Sequence, residues 1–215
     1  MKNINIKNFL YLLIPLSGVA WFVVAIYNGY DLQSVSGFLK PLPTVISFDT
    51  LVLGFFVKWA WKWRIFSGWL VPFPNLNGTW TGNMQTTWKD ANGNSPGPIP
   101  TMLTIKQSFL GISCVMRTGE MMSYSFVEGF YIDSERQVCQ ICYSYTSKPS
   151  SCVQDRSAQH DGTALFNIIG SPPTKLDGNY WTQRKTTGSM SLALKTRELL
   201  SEIPSDFPEH PMSRP

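Results

Sequence analysis

Leu176-Asp177-Gly178-Asn179-Tyr180-Trp181-Thr182-Gln183-Arg184, running on to Thr187 and Gly188, is the stretch from which the fold is read. It has the pattern of a β-strand that starts at a glycine, carries aromatics in its middle and ends on an arginine. A shorter echo lies upstream at Leu76-Asn77-Gly78-Thr79-Trp80-Thr81-Gly82, so that Gly178 matches Gly78, Tyr180 matches Trp80 and Arg184 falls where Met84 stands. Side chains alternate along a strand, so Tyr180, Thr182 and Arg184 share one face, as do Trp80, Gly82 and Met84. An arginine behind a tyrosine on one side of a sheet is either a solvated rim residue or the wall of an anion pocket.

The flanking sequence continues the strand pattern. Stretches of β period, broken by turn residues, fall at Gly78–Trp88, Ile99–Phe109, Ile112–Thr118, Met121–Ile132, Val138–Tyr145, Thr163–Ile169, Leu176–Arg184 and Thr187–Leu194. About eight strands joined mostly by short turns predict an up-and-down antiparallel β-barrel over residues 73–195, wide enough for its own side chains or one small ligand. Alternation turns Leu103, Ile105 and Gln107 inward, with Ile112, Cys114, Met116, Met190 and Leu192. Arg117 is left outside. The echo selects Leu176, Tyr180, Thr182 and Arg184 as the inward set of the seventh strand. Lys148 to Gly162 reads as a polar loop. Residues 196–215 read as a short helical turn, from Arg197 to Ile203, and a flexible Pro-rich tail.

Upstream, Phe9 to Tyr27 contains no charge, and a second apolar run extends from Val45 to about Trp61. Each approaches the ~20 residues that cross a bilayer as a helix. The first is too long for a signal peptide, and no small-residue cleavage pattern follows it. Residues 1–72 are therefore expected to form a two-span hairpin, with spans at about 9–27 and 44–62 around a polar loop. Lys2 and Lys7 precede the first span; Lys58, Lys62 and Arg64 end the second, among Trp59, Trp61, Trp63 and Trp69. The positive-inside rule puts both chain ends in the cytoplasm. Asp49 lies within the second span, where it is either solvated near the interface or turned toward another helix. Gly18 and Gly54 are candidates for close helix contacts.

The chain has 215 residues and a formal charge of +4, too small an excess to argue for duplex nucleic acid. Its four cysteines are Cys114, Cys139, Cys142 and Cys152. Cys139 and Cys142 sit in a strand-like run where positions three apart face opposite ways, which argues against a metal site. The histidines, His160 in a loop and His210 in the tail, lie near no nucleophile motif, and neither a phosphate loop nor a paired-carboxylate frame is visible. Binding is expected rather than catalysis, with no cofactor and no metal. The inferred interior offers aromatic faces, hydroxyls, an amide and a guanidinium. Bases stack on aromatics and guanidinium forks hold phosphate oxygens, so a small phosphorylated nucleotide suits this wall. The alternative is a membrane-tethered, lipocalin-like carrier or sensor of a lipid or other hydrophobic metabolite, since such barrels often begin with Gly-x-Trp.

Two N-terminal spans, Gly78-Thr79-Trp80, and the late motif Leu176-Asp177-Gly178-x-Tyr180-x-Thr182-x-Arg184-x-x-Thr187-Gly188 together resemble the two-transmembrane, β-strand-rich effector family of bacterial CBASS antiphage systems. The resemblance covers Phe9 to about Leu194. It implies a cytosolic barrel that binds a cyclic dinucleotide made by a partner nucleotidyltransferase. It further implies homo-oligomerisation in the inner membrane, membrane disruption, and growth arrest or death of the infected cell. Ligand roles carry over to Tyr180, Thr182, Arg184 and Thr187, and to Trp80 from the first-strand motif. Gln107 joins them by parity, and Arg117 and Tyr131 are further candidates.

Overall fold

The computed structural model describes residues 6–90, 92–155 and 157–213, and divides at Pro72/Phe73 into two compact units. Lys2 and the side chain of Cys152 lie outside the described residues.

The first unit is helical. Helix α1 spans Ile6–Tyr27, α2 Val35–Leu39 and α3 Leu42–Lys58. Two stretches, Ile6–Tyr27 and Val35–Lys58, are long and apolar enough to cross a membrane. The connecting stretch, expected to be loop throughout, contains α2, because the Ser34 side chain accepts a hydrogen bond from Gly37 N–H and caps a short turn. Beyond Lys58 the chain tightens into two 3-10 turns, Ala60–Lys62 and Arg64–Phe66. Helices α1 and α3 meet through the Phe9 and Phe56 rings, 5.5 Å apart, and through Ser17 Oγ, 2.7 Å from Asp49 Oδ2. Asp49 thus faces a neighbouring helix. Gly18 and Gly54 do not sit in this contact: a Cβ built on either meets nothing within 4 Å.

The second unit is a closed barrel of eight antiparallel strands, each paired with its sequence neighbours and β8 closing on β1. The strands are β1 Gly78–Thr86, β2 Ile99–Gln107, β3 Ile112–Arg117, β4 Met121–Asp133, β5 Val138–Pro149, β6 His160–Ile169, β7 Lys175–Thr182 and β8 Thr187–Thr196. The stretch expected as a loop from Lys148 to Gly162 is shorter, because β5 runs on to Pro149 and β6 already begins at His160. Inward parity holds where expected: Leu103, Ile105, Cys114, Leu176, Met190 and Leu192 are buried with Trp80, Ile141 and Phe166 in one core. In β4 the register shifts between Ser125 and Val127, a bulge that interrupts the alternation partway along the strand.

One barrel end is shut by the chain that leads into β1. Leu76 N–H donates to Gln107 Oε1 (2.7 Å), Gln107 Nε2 to Pro74 O (3.1 Å), and the Trp80 indole to Leu76 O (3.0 Å). Gly78 sits at φ +140°, and a Cβ there would lie 2.5 Å from Thr196 O, so glycine is required where β1 begins. Arg197 to Ile203 is irregular rather than helical, because its backbone is committed to the barrel wall: Thr79 Oγ1 donates to Glu198 O and accepts from Leu200 N–H, and Thr104 Oγ1 donates to Leu200 O. The chain end carries a 3-10 turn at Pro211–Ser213 instead.

Candidate functional site

The strand order puts the starts of β2, β4, β6 and β8 and the ends of β1, β3, β5 and β7 at one mouth. A cavity of about 150 Å³ opens there. Its floor and walls include Met84, Met116, Ser123, Tyr145, Ser147, His160, Tyr180 and Thr182, with Arg184 and Thr186 above them.

Arg184 reaches the mouth by a different route from the one parity gives. Strand β7 ends at Thr182, and a turn closed by Lys185 N–H to Thr182 O (3.0 Å) and Thr182 N–H to Thr186 O (2.9 Å) carries Arg184 over the opening. Lys185 holds φ +62° to make that turn. The Arg184 guanidinium donates through Nη1 to Ser157 Oγ (3.1 Å) and to Ala158 O (3.4 Å). It is exposed, shares the cavity lining with Tyr145 and Tyr180, and interacts with both through its charge. Partial burial pulls its pKa down, and the two tyrosines oppose that shift.

Both tyrosines are built into the wall by glycines. A Cβ at Gly162 would lie 2.6 Å from the Tyr145 ring and hydroxyl, and one at Gly188 2.4 Å from the Tyr180 ring. Each ring therefore lies over an inward glycine, which fixes its tilt. Burial, the largest cause, pushes both phenols above their ordinary pKa, and Arg184 partly offsets it. The phenols are neutral at physiological pH and keep their protons as hydrogen-bond donors. Thr86 hydrogen-bonds to Tyr180, and the Thr182 and Thr186 hydroxyls are 2.6 Å apart.

His160 is a cavity residue that its apparent loop position concealed. It is 8% exposed, and its Nδ1 lies 3.1 Å from Ala158 O, which makes Nδ1–H the donor and leaves Nε2 as acceptor. Burial holds its pKa below the ordinary histidine value, Arg184 adds to that, and the Ala158 carbonyl and Asp161 oppose it.

Of the residues singled out in the sequence, the structure brings Tyr180, Thr182 and Arg184 together. Trp80 is inward but completely buried near the shut end, with its N–H already engaged. Gln107 is inward too, yet its amide clamps the chain at that same end. Thr187 begins β8 but points outward, its N–H donating to Thr87 Oγ1 at 3.0 Å; Thr186 takes the cavity position. Tyr131 is 51% exposed on β4. Arg117 stands outside the cavity wall, where burial lowers its pKa and Glu202 opposes the shift.

Aromatic faces, neutral phenols, hydroxyls, an imidazole acceptor and one guanidinium converge on a mouth that closes toward an apolar core. Such a barrel has the make-up of a receptor for a small polar, anionic ligand. Residues 71–194 match the family model described as Cap15, cyclic dinucleotide receptor domain, and the chain belongs to that family, among the β-strand-rich effectors of CBASS antiphage defence. It is also similar to CD-NTase-associated protein 15 of Staphylococcus schleiferi, 24% identical over 184 residues, which cover 84% of this chain and 94% of that protein.

Proposed function

We propose that the barrel is the receptor of an antiphage effector and takes a cyclic dinucleotide at the mouth cavity. The signal would be made by a partner nucleotidyltransferase, as the name of the staphylococcal relative fits. In this reading Arg184 forks onto a phosphate, Tyr145 and Tyr180 donate hydroxyls or stack on a base, and Thr182 and Thr186 complete the polar rim. His160 Nε2 accepts from a base amino group. The observation that carries it is the convergence of the Arg184 guanidinium and the Tyr145 and Tyr180 side chains on one cavity at the mouth of the barrel. A fatty acyl chain would put its methylenes against this same polar rim, so the lipocalin-like carrier is the poorer fit.

The ligand is held, not converted. Its binding favours a self-associated form of the chain in the bacterial inner membrane, anchored by the two apolar helices with the N-terminus and barrel in the cytoplasm. Assembly then disrupts the bilayer and arrests or kills the infected cell. The test is calorimetric titration of the full chain in detergent with cyclic diadenylate, diguanylate, diuridylate and mixed dinucleotides. Micromolar or tighter binding of at least one, with the ligand recovered intact, is expected. If none binds while a fatty acyl probe does, the carrier reading replaces this one.

A further inference from the structure

The matched family domain ends at residue 194, yet two walls of the mouth cavity come from beyond it: His210 and Met212. The C-terminal segment leaves β8 at the shut end and runs up the outside of the barrel. Its root is firmly held. Arg197 Nη1 donates to Asn75 O (3.2 Å) and Asn77 O (3.0 Å), and Thr79 and Thr104 fix Glu198 and Leu200. Its middle is held more lightly, by the charge of Glu202 near Arg117 and by an exposed Lys195–Asp206 pair at 3.7 Å, and it carries Pro204 and Pro208. Its tip then turns in. The imidazole of His210 lies 3.3 Å from Glu120 Oε1 in the β3–β4 turn, both side chains nearly buried. Met212 N–H donates to His210 Nδ1 at 3.2 Å, which sets Met212 beside the cavity.

The size of the cavity gives this arrangement a consequence. Pockets that enclose a drug-sized ligand run to roughly 300–1,000 Å³. The present cavity is about 150 Å³, too small for two nucleotides. Six of the eight inter-strand ladders run without a register shift, whereas the tip belongs to no ladder and meets the barrel through His210 at Glu120 after a lead that bears Pro204 and Pro208. It is a rim element that can leave without breaking a strand ladder.

We infer that the C-terminal tip is a plug: His210 and Met212 occupy part of the ligand site, and a cyclic dinucleotide binds by displacing them while the root at Arg197–Leu200 stays in place. This rests on the receptor reading above. A receptor whose competent state is the minor one binds with an affinity reduced by the fraction open. With a plug displaced about a tenth of the time or less, its removal tightens binding at least about tenfold.

The experiment compares three forms of the full chain in detergent against the same cyclic dinucleotide panel. The first is the native chain and the second ends after Ser205, keeping the root. The third carries Gly119→Cys with His210→Cys, oxidised to lock the tip down; a Cβ built on Gly119 lies 2.9 Å from that of His210, so a small outward shift brings the pair to the roughly 3.5–4.5 Å of a disulfide. The expected order is tightest binding in the shortened chain, intermediate in the native one and none in the locked one, with reductant restoring binding to the last. A His210→Ala, Met212→Ala chain covers the case in which shortening impairs folding, and should also bind more tightly than native. Binding that is unchanged or weaker in the shortened and double-alanine chains overturns the plug and leaves the receptor reading intact. No binding by any form overturns both.

Discussion

Arg184 is the residue with most to do and least to hold it in place. Its hydrogen bonds go to Ser157 and Ala158 in an exposed setting, so its removal should alter folding stability by no more than about 0.5 kcal/mol. Toward a phosphate it would make charge-assisted hydrogen bonds of about 1.5–3 kcal/mol. Arg184→Ala is therefore expected to weaken cyclic dinucleotide binding roughly 10- to 150-fold at an unchanged unfolding midpoint; equal affinity in calorimetry would remove the arginine from the site. His160 makes a separate prediction. Its folded-state pKa lies below the ordinary value, mainly through burial and then through Arg184. The unfolded chain then takes up a proton first, at about pH 6.5. Its contribution to stability is whole above that pH and is lost as the pH falls below it. His160→Gln should consequently narrow the difference between unfolding midpoints at pH 7.5 and pH 5.5. An identical acid loss in both chains would show that the imidazole is not buried as neutral.

At the scale of the strand, what the amino acids disclose and what they conceal separate cleanly. All eight strands are legible as β stretches between turn residues, and side-chain alternation puts Trp80, Gln107 and Tyr180 inside. Period two has no information about height. Trp80 follows the start of β1 by two residues and Tyr180 precedes the end of β7 by two, so two residues that match in the echo occupy opposite ends of the barrel. Gln107 goes to the shut end for the same reason. Arg184 reaches the cavity although alternation had stopped at Thr182, because a hairpin turn carries it there. His160 passed for loop because the polar run before it gives no strand signal; only its ladder with Ser147 reveals it. The glycines, by contrast, were a usable signal. Gly188 faces the Tyr180 ring, and an added methyl would lie 2.4 Å from that ring and 2.1 Å from Gln85 O. Gly188→Ala should cost about 1–3 kcal/mol by overpacking and, by tipping the tyrosine, weaken ligand binding as well. Gly129→Ala, where nothing stands within 4 Å, is the matched control, with a cost below about 1 kcal/mol. Denaturant midpoints that shift equally for the two would show that the Tyr180 ring is not held by this glycine.

For the whole molecule, the barrel and the helical unit have to be connected by energy rather than by description. A ligand shifts assembly only through its preference for the assembled form, and the coupling runs in both directions. If cyclic dinucleotide promotes self-association, self-association must tighten cyclic dinucleotide binding by the same factor. Apparent affinity should therefore rise with protein concentration in detergent, alongside a ligand-dependent increase in sedimentation coefficient. If association runs through the helical unit, Asp49 is where it would act. Asp49 has Oδ2 beside Ser17, whereas its buried Oδ1 has no hydrogen-bond partner among the described residues. A polar oxygen left without a donor in an apolar surround is costly, and a donor reaching it as the helices repack against a second copy would relieve that cost. A Cβ at Gly18 or Gly54 would meet nothing within 4 Å, so these positions would not obstruct such an approach. Asp49→Leu should then keep the ligand affinity of the unassembled chain, lose the rise in affinity with protein concentration, and reduce ligand-triggered dye release from vesicles that contain the protein. Dye release from Asp49→Leu vesicles equal to that of the native chain would exclude Asp49 from assembly, and a native chain whose sedimentation and affinity both ignore ligand and concentration would uncouple binding from assembly altogether.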